Sequence, residues 1–299
     1  MLAPGELPRR VLVLGMGYSG RVIASRLQAH GVEASGTVRD PASAASDGLP
    51  RHALAAGRAL EPDLLSAVAQ ADAVLCSVPP DADGDPALRR LWPALRASPA
   101  LRWIGYLSST GVYAGRDGGW IYEQSLADGV GIAATQRRLA ESQWRALATE
   151  RGAASAIFRL PGLYGRGRNA LVQLAEGRAR HVVRPGLVFS RLHVEDLAAV
   201  VMAAMMRREH EALYLPTDDE AAPPQDVLAH AARLSGRPLP PARAWDDPAL
   251  SPALRRFYQG SKRIDSRDTR ERLQWKPRFS SYREGLQDAW ENGDGRPPR

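Results

Sequence analysis

The stretch VLVLGMGYSG, residues 11–20, predicts the fold of the chain. Its first four residues are apolar, which is typical of a strand buried on both faces of a parallel sheet. Gly15, Gly17 and Gly20 follow in G-x-G-x-x-G spacing, and a helical pattern of apolar residues then runs to Gly31. A strand, a glycine turn and a helix in this order predict an α/β domain that binds the phosphates of a dinucleotide.

Each glycine has a physical role in such a site. Gly15 permits the tight turn, Gly17 lets the backbone approach the pyrophosphate, and Gly20 lets the helix pack close to the strand. The first N–H groups of the helix, around Tyr18 and Ser19, have no partner within the helix and carry the positive end of its dipole. We therefore predict that these five residues contact the cofactor. A glycine-rich turn without a ligand is the alternative.

The end of the second predicted strand, TVRDP at residues 37–41, bears on which dinucleotide is bound. Arg39 lies nineteen residues after Gly20, where the fold places the group that meets the adenosine ribose. Arginine suits the 2′-phosphate of NADP, whereas a carboxylate suits the free 2′-hydroxyl of NAD. Asp40 is the adjacent residue, so the prediction is NADP with NAD as the alternative.

Two later apolar runs extend the predicted sheet. Residues 72–77 read as its fourth strand, and residues 101–109 read as its fifth strand. The carboxyl ends of strands in an open parallel sheet face the ligand crevice. Ser77, Val78 and Pro79 follow the fourth strand and are therefore predicted to line the cofactor.

The alternation of strands and helices predicts a Rossmann-type, doubly wound and mostly parallel sheet of seven strands. We expect residues 1–165 to form the NAD(P)-binding domain. Residues 166–299 are expected to form a smaller C-terminal substrate lobe, with some segments returning to the sheet.

Later motifs give the chain a family resemblance. SSTGVY at 108–113, FRLPGLYG at 158–165 and RLHVED at 191–196 follow one another in the order found in extended short-chain dehydrogenases/reductases. That family includes UDP-sugar epimerases and dehydratases. GTVRDP at 36–41 is similar to the NADP-binding turn of dihydroflavonol reductases. The resemblance implies an oxidoreductase or epimerase/dehydratase that acts on a hydroxyl- or carbonyl-bearing substrate, such as a nucleotide sugar.

The same resemblance implies where the nicotinamide end lies. Ser109 falls at the position of the family's catalytic serine, at the end of the fifth strand, and Ser108 precedes it in the cofactor site. In the family, the loop that begins here at Pro161, Gly162 and Leu163 holds the nicotinamide through its backbone.

The usual proton-transfer pair of the family is missing. Its members carry Tyr-x-x-x-Lys, in which tyrosine moves the proton and lysine binds the nicotinamide ribose and lowers the tyrosine pKa. Ala133 and Arg137 occupy these positions. Arg137 is predicted to bind the ribose, but alanine cannot move a proton, so the chain resembles an atypical extended member. Tyr122 is the predicted replacement, since its loop should overhang the nicotinamide. A cofactor sensor without redox turnover is the alternative.

Composition excludes several other classes. The net charge is +7, but the arginines are interleaved with acids and no nucleic-acid module is present, so we predict no nucleic-acid partner. No apolar run reaches the ~20 residues of a membrane span, and no signal peptide is evident. The single cysteine, Cys76, excludes an internal disulfide, so a cytoplasmic location is predicted.

The expected partner is a small molecule, and a homodimer is compatible with the sequence. The six histidines are scattered, so no metal site is predicted; His193 is expected to anchor the lobe junction and Asp196 to cap a helix. Several arginines after the sixth strand are candidates for an anionic substrate, a solvated face being the alternative: Arg166, Arg168, Arg178, Arg180, Arg184 and Arg191.

Overall fold

The computed structural model describes residues 5–43 and 47–296. Its strands are β1 (Arg10–Leu14), β2 (Glu33–Val38), β3 (Arg51–Ala53), β4 (Ala73–Cys76), β5 (Trp103–Ser109), β6 (Trp120–Ile121), β7 (Ala154–Leu160), β8 (Gly162–Tyr164), β9 (Val182–Val183), β10 (Arg191–His193), β11 (Ala212–Tyr214), β12 (Arg243–Ala244) and β13 (Arg263–Ile264). Its helices are α1 (Tyr18–Ala29), α2 (Pro62–Gln70), α3 (Pro86–Ala97), α4 (Ile132–Arg151), α5 (Ala170–Ala175), α6 (Val194–Arg207), α7 (Pro224–Ser235), α8 (Pro252–Gln259), α9 (Arg267–Leu273) and α10 (Tyr282–Glu291).

The main sheet has seven strands in the order β11-β7-β5-β4-β1-β2-β3, and every neighbouring pair is parallel. This confirms the predicted doubly wound architecture. The chain runs outward in one direction from β1 to β3 and in the other from β4 to β11. Ligands of such sheets bind where the order reverses, beyond the carboxyl ends of the central strands. Here the reversal lies between β1 and β4.

Strand β1 shows why the apolar run of the sequence lies at the centre. Val11 and Val13 belong to the core layer that α1 and α6 cover, whereas Leu12 and Leu14 belong to the layer that α2, α3 and α4 cover. All four side chains are at most 1% exposed. Successive side chains of a strand point to opposite faces, so a strand covered on both sides must be apolar throughout.

Helix α1 packs unusually close to the strand before it. A Cβ atom at Gly20 would overlap the carbonyl oxygen of Gly15, and a Cβ at Gly36 would overlap the side chain of Met16. Gly15 has φ +91°, a conformation that favours glycine. The glycine spacing thus fixes the distance between helix and sheet as well as the turn.

Residues beyond 165 complete the sheet and cover its carboxyl edge. Strand β11 pairs with β7, while the short strands β10 and β13 pair with β8 and β6.

The prediction that Asp196 caps a helix is wrong: the N-cap of α6 is His193, whose Nδ1 accepts the N–H of Glu195. Asp196 lies in the first turn and accepts the N–H groups of Arg278 and Phe279 at 2.7 and 3.1 Å. Its carboxylate therefore holds the C-terminal segment against α6.

Cys76 ends β4 inside the core. Its thiol donates to Asp85, which also accepts the indole N–H of Trp144 and caps α3. Burial raises the pKa of the Cys76 thiol. The sulfur is thus an interior hydrogen-bond donor.

The packing of α1 predicts that Gly20→Ala destabilises the protein. The added methyl group meets backbone that cannot move aside, so we expect the unfolding free energy to fall by about 1–3 kcal/mol in urea titrations. Gly17→Ala is the matched control, because nothing lies within 4 Å of its Cβ position and its backbone is extended. Equal stability of the two variants would contradict the close-packing role of Gly20.

Candidate cofactor and active site

The glycine turn is held from both neighbouring strands. Gly15 donates its N–H to the hydroxyl of Thr37 at 3.0 Å, and its carbonyl accepts the hydroxyl of Ser77 at 2.6 Å. Met16 donates to the carbonyl of Thr37 at 2.7 Å. Gly17 is the N-cap of α1 and offers no side chain, so the first N–H groups of the helix remain for a ligand.

A cavity of about 1130 Å³ lies beside this turn, at the carboxyl ends of β1, β2 and β4. It lies where the fold binds nucleotides, next to the N-cap of α1, and several arginines line it, which suits the phosphates of a dinucleotide. The lining residues are Gly15, Met16, Gly17, Arg21, Thr37, Val38, Arg39, Asp40, Arg51, Leu54, Ala55, Ala56, Ser77, Val78, Pro79, Pro86, Ala87 and Arg90.

Four of the lining residues are arginines, of which the sequence predicted only Arg39. Arg51 pairs with Asp47 at 2.5 Å, and Arg21 lies 3.9 Å from the same carboxylate. Arg90 reaches from α3 to backbone carbonyls of the 55–58 segment. The sequence motifs singled out none of these three. Arg21 lies on α1, whereas Arg51 and Arg90 reach the cavity only because β3 pairs with β2 and α3 lies against the 55–58 segment.

The predicted nicotinamide residues lie outside this cavity, at the carboxyl ends of β5 and β7. The hydroxyl oxygen of Ser109 caps the turn at Thr110–Val112 by accepting the N–H of Gly111 at 3.1 Å. Its proton remains for another acceptor. Ser108 is 4% exposed and donates to Glu141 at 2.5 Å, so its hydroxyl is engaged inside the protein.

Glu141 is the centre of a buried ionic network. Both of its carboxylate oxygens accept from Arg159, at 3.0 and 2.7 Å, and Arg159 also donates to the hydroxyl of Tyr113 at 2.8 Å. Glu141, Arg159 and Tyr113 are 1%, 7% and 2% exposed. The network connects α4, β5 and β7 beneath the candidate active site. Tyr113 is thus a buried member of this network.

Arg137 lies one turn before Glu141 on α4. Its guanidinium donates to the hydroxyl of Tyr106 and the carbonyl of Leu107, both at 3.2 Å, which places it against the carboxyl end of β5. Ala133 is exposed at the position of the family's tyrosine. Arginine thus replaces the lysine of the usual pair and keeps its positive charge, whereas alanine replaces the tyrosine and carries no proton to transfer.

Tyr18, Ser19 and the Pro161–Leu163 loop also lie outside the cavity. The hydroxyl of Tyr18 points towards the turn at Gly165, Arg168 stacks over its ring at 5.3 Å, and burial raises the pKa of Tyr18 to about 12. Gly162 is exposed at the start of β8. Tyr18 therefore joins α1 to the loop after β8 by its side chain, while its N–H remains at the helix N-terminus.

Tyr122 and Glu123 follow β6. Tyr122 is 41% exposed and its N–H donates to Ser125. Glu123 accepts the N–H and hydroxyl of Thr269 on α9, and burial raises the pKa of its carboxyl. Glu123 is therefore a link to α9, and Tyr122 remains an untested prediction for the proton donor.

Most of the six arginines predicted as candidates for an anionic substrate have partners within the protein. Arg166 pairs with Asp288, Arg178 with Glu176, and Arg191 donates to two backbone carbonyls.

Within residues 5–43 and 47–296, no cluster of three His, Cys, Asp or Glu side chains could hold a metal ion. No helix of that part is both long and apolar enough to cross a membrane.

The chain is 30% identical to a 3-diazoavenalumate denitrifying reductase from a Streptomyces species. The match covers 93% of this chain and 99% of the relative. The chain belongs to the extended short-chain dehydrogenase/reductase (SDR) family, in its atypical branch. This SDR is an NAD(P)-binding protein of the oxidoreductase or epimerase type. No model of a known protein family matches it.

Two solved structures resemble this SDR over nearly its whole length. A conserved protein of unknown function from Silicibacter pomeroyi is 36% identical with a TM-score of 0.85, covering 95% of this chain and 99% of that one. MoeE5, in complex with UDP-glucuronic acid and NAD, is 20% identical with a TM-score of 0.76, covering 94% and 98%. At that identity the second likeness shows the fold alone.

The buried network predicts a large cost for Arg159→Met. The substitution removes the two closest charged hydrogen bonds of Glu141 in the interior and leaves only Arg145, at 3.9 Å, as a counter-charge, so we expect a loss of about 3–5 kcal/mol of unfolding free energy. Arg166→Met breaks an exposed pair with Asp288 and should cost at most about 1 kcal/mol. Urea unfolding measures both, and similar small losses would show that the Glu141 network adds little stability.

Proposed function

We propose that this SDR is an NADP(H)-dependent reductase. The observation that carries the proposal is the arginine-lined cavity beside the glycine turn. A 2′-phosphate brings up to two negative charges to the end of the adenosine ribose, and arginine binds phosphate oxygens with two parallel hydrogen bonds. NAD carries only a neutral hydroxyl at that position and forms no such charged pair of hydrogen bonds there.

Arg39 is the arginine best placed to bind this phosphate. It is exposed at the cavity, and no hydrogen bond or ion pair engages its guanidinium among the residues that the structure describes. Asp40, the residue that would favour NAD, accepts the N–H of Ala42 at 3.1 Å in the turn after β2. The local geometry therefore supports Arg39 as the ribose partner.

The missing tyrosine favours a reduction in which no substrate oxygen needs a proton. The relative named a denitrifying reductase acts on a diazo compound. A bound NADPH would supply the hydride for the diazonium form of such a compound: a carbon–hydrogen bond would form as the carbon–nitrogen bond breaks, dinitrogen would leave with the electron pair of that bond, and the nicotinamide would be oxidised. That reaction requires the hydride donor and the substrate carbon to be held in the right orientation, and it requires no proton donor at the position of Ala133.

Arg39→Ala tests the cofactor choice. We expect the dissociation constant for NADPH to rise about tenfold to a hundredfold, the loss of a charge-assisted contact, with that for NADH unchanged. Arg233→Ala, an exposed arginine on α7, is the control. Nicotinamide fluorescence titration measures both cofactors, and equal weakening of NADPH and NADH would refute the assignment.

Hydride transfer is tested with NADPH deuterated at C4 and 3-diazoavenalumate. We expect release of dinitrogen and deuterium at the carbon that carried nitrogen. Tyr122→Phe should retain the rate, since the departing nitrogen needs no proton; loss of turnover in that variant would instead make Tyr122 the acid. Tight NADPH binding with no deuterium transfer, to this substrate or to a carbonyl and sugar-nucleotide panel, would contradict the reductase and favour a cofactor sensor.

A further inference from the structure

Lys262 is a half-buried cation at the candidate active site and one of two lysines in the chain. Its ammonium donates to the carbonyl of Tyr113 at 2.8 Å and lies 3.4 Å from the carbonyl of Ala114. Burial lowers the pKa of Lys262, and repulsion from Arg116 adds to the effect. Both carbonyls belong to the segment that continues from the turn capped by Ser109.

The neighbours of Lys262 define which way it faces. The backbone at Lys262 bridges to Phe189, and the N–H of Ile264 donates to the hydroxyl of Ser190 at 3.0 Å. Alternate residues of an extended segment share a face, and Ile264 packs against Val112 in a small apolar cluster. Lys262 therefore faces the turn that follows β5.

The Phe189–Ser190 segment lies next to the loop that the family resemblance assigns to the nicotinamide. The carbonyl oxygen of Ser190 lies 3.9 Å from the Cβ position of Gly162. Lys262 thus lies between the turn after Ser109 and the Phe189–Ser190 segment, which leads into β10 and so to its partner β8. The turn and β8 are the two segments predicted to border the nicotinamide end of the cofactor.

The ammonium of Lys262 lacks a counter-ion in the part of the chain that the structure describes. No carboxylate there lies within 4 Å of its nitrogen. The nearby Asp128 accepts two hydrogen bonds from Arg116 at 2.9 and 2.8 Å and so is already neutralised. A partly desolvated cation without an anion is unfavourable, and two carbonyls leave one of its three N–H groups for a further acceptor.

We propose that Lys262 binds an anionic oxygen group of the substrate, a carboxylate or a phosphate, next to the site of hydride transfer. The proposal deepens the proposed reductase by giving its substrate class, a small organic acid or phosphate ester. It rests on the proposed function in one respect, namely that the anion bound by Lys262 is part of the substrate. The anion supplies the missing counter-charge, and the carbonyls of Tyr113 and Ala114 fix where it lies.

The first test observes the ammonium itself in the NADP⁺ complex. Expression with lysine ¹³C-labelled at Cε labels only Lys262 and the exposed Lys276 and leaves all their N–H groups intact; the variants Lys262→Met and Lys276→Met assign the two signals. We expect benzoate or inorganic phosphate to raise the titration midpoint of Lys262 by about 1 unit or more, and to leave that of Lys276 unchanged. The two anions distinguish a carboxylate from a phosphate site.

One outcome of that test would overturn the proposal. If neither anion shifts the titration midpoint of Lys262 more than that of Lys276, the ammonium of Lys262 binds no such anion. Asp128 and Arg116 also face Lys262, so Asp128→Asn should move the midpoint in the free protein without removing the response to the anion.

The second test uses turnover of 3-diazoavenalumate. Lys262→Met should raise KM about tenfold to a hundredfold, with NADPH affinity unchanged, and Lys262→Arg should restore much of the loss. Lys276→Met is the control. A fall in thermal stability and NADPH affinity with unchanged KM would show that Lys262 only supports the 113–114 segment. Absence of turnover in the wild-type protein would refute the reductase, while the anion response of Lys262 would stand or fall separately.

Discussion

The contact between helix α1 and the turn before it sets the geometry on which the rest of the fold depends. Gly20 lies against the carbonyl of Gly15 at a distance that no side chain allows. The helix is thereby held close to β1, and its first N–H groups are directed at the crevice where the strand order reverses. On its other side α1 packs against α6, and an ion pair joins Arg26 to Glu195. Helix α6 of the C-terminal half thus packs on the same helix that begins at the glycine turn.

A second constraint operates at the carboxyl ends of β5 and β7. Glu141 and Arg159 are buried together, and their hydrogen bonds reach Ser108 and Tyr113. Two desolvated charges satisfied by several directed bonds resist displacement, because moving either one exposes the other to an apolar interior. The ends of β5 and β7 are therefore fixed by a network that uses no group of the usual proton-transfer pair. A rigid frame of this kind suits chemistry that depends on orientation.

Local sequence patterns predicted the features that arise from local physics. The apolar residues of β1, the glycine turn and helix α1 lie within twenty residues, so periodicity and spacing are sufficient. The cap of α6 was missed because rules for N-caps favour Asp over His, whereas the tertiary contact with Arg278 and Phe279 draws Asp196 inward. Short pairs such as β6 with β13 carry too few residues for a period to show.

The site divides in the same way. Arg39 could be predicted because its distance along the chain from the glycines is set by one βαβ unit. Arg51 and Arg90 belong to other elements, and their approach to the same cavity depends on packing that no short motif encodes. Lys262 is farther still, since 149 residues separate it from its carbonyl partner at Tyr113. The spacing of residues in the sequence therefore could not predict which distant residues meet at the site.

The position of Cys76 has a practical consequence. Its sulfur is fully enclosed, donates to Asp85, and has a raised pKa, so little reactive thiolate forms at neutral pH. The native chain therefore behaves towards maleimides and other thiol reagents almost as a cysteine-free protein. A single cysteine introduced at an exposed position, such as Val130 before α4, would carry a fluorophore or spin label selectively. Motions of that loop could then be followed without first replacing a core residue.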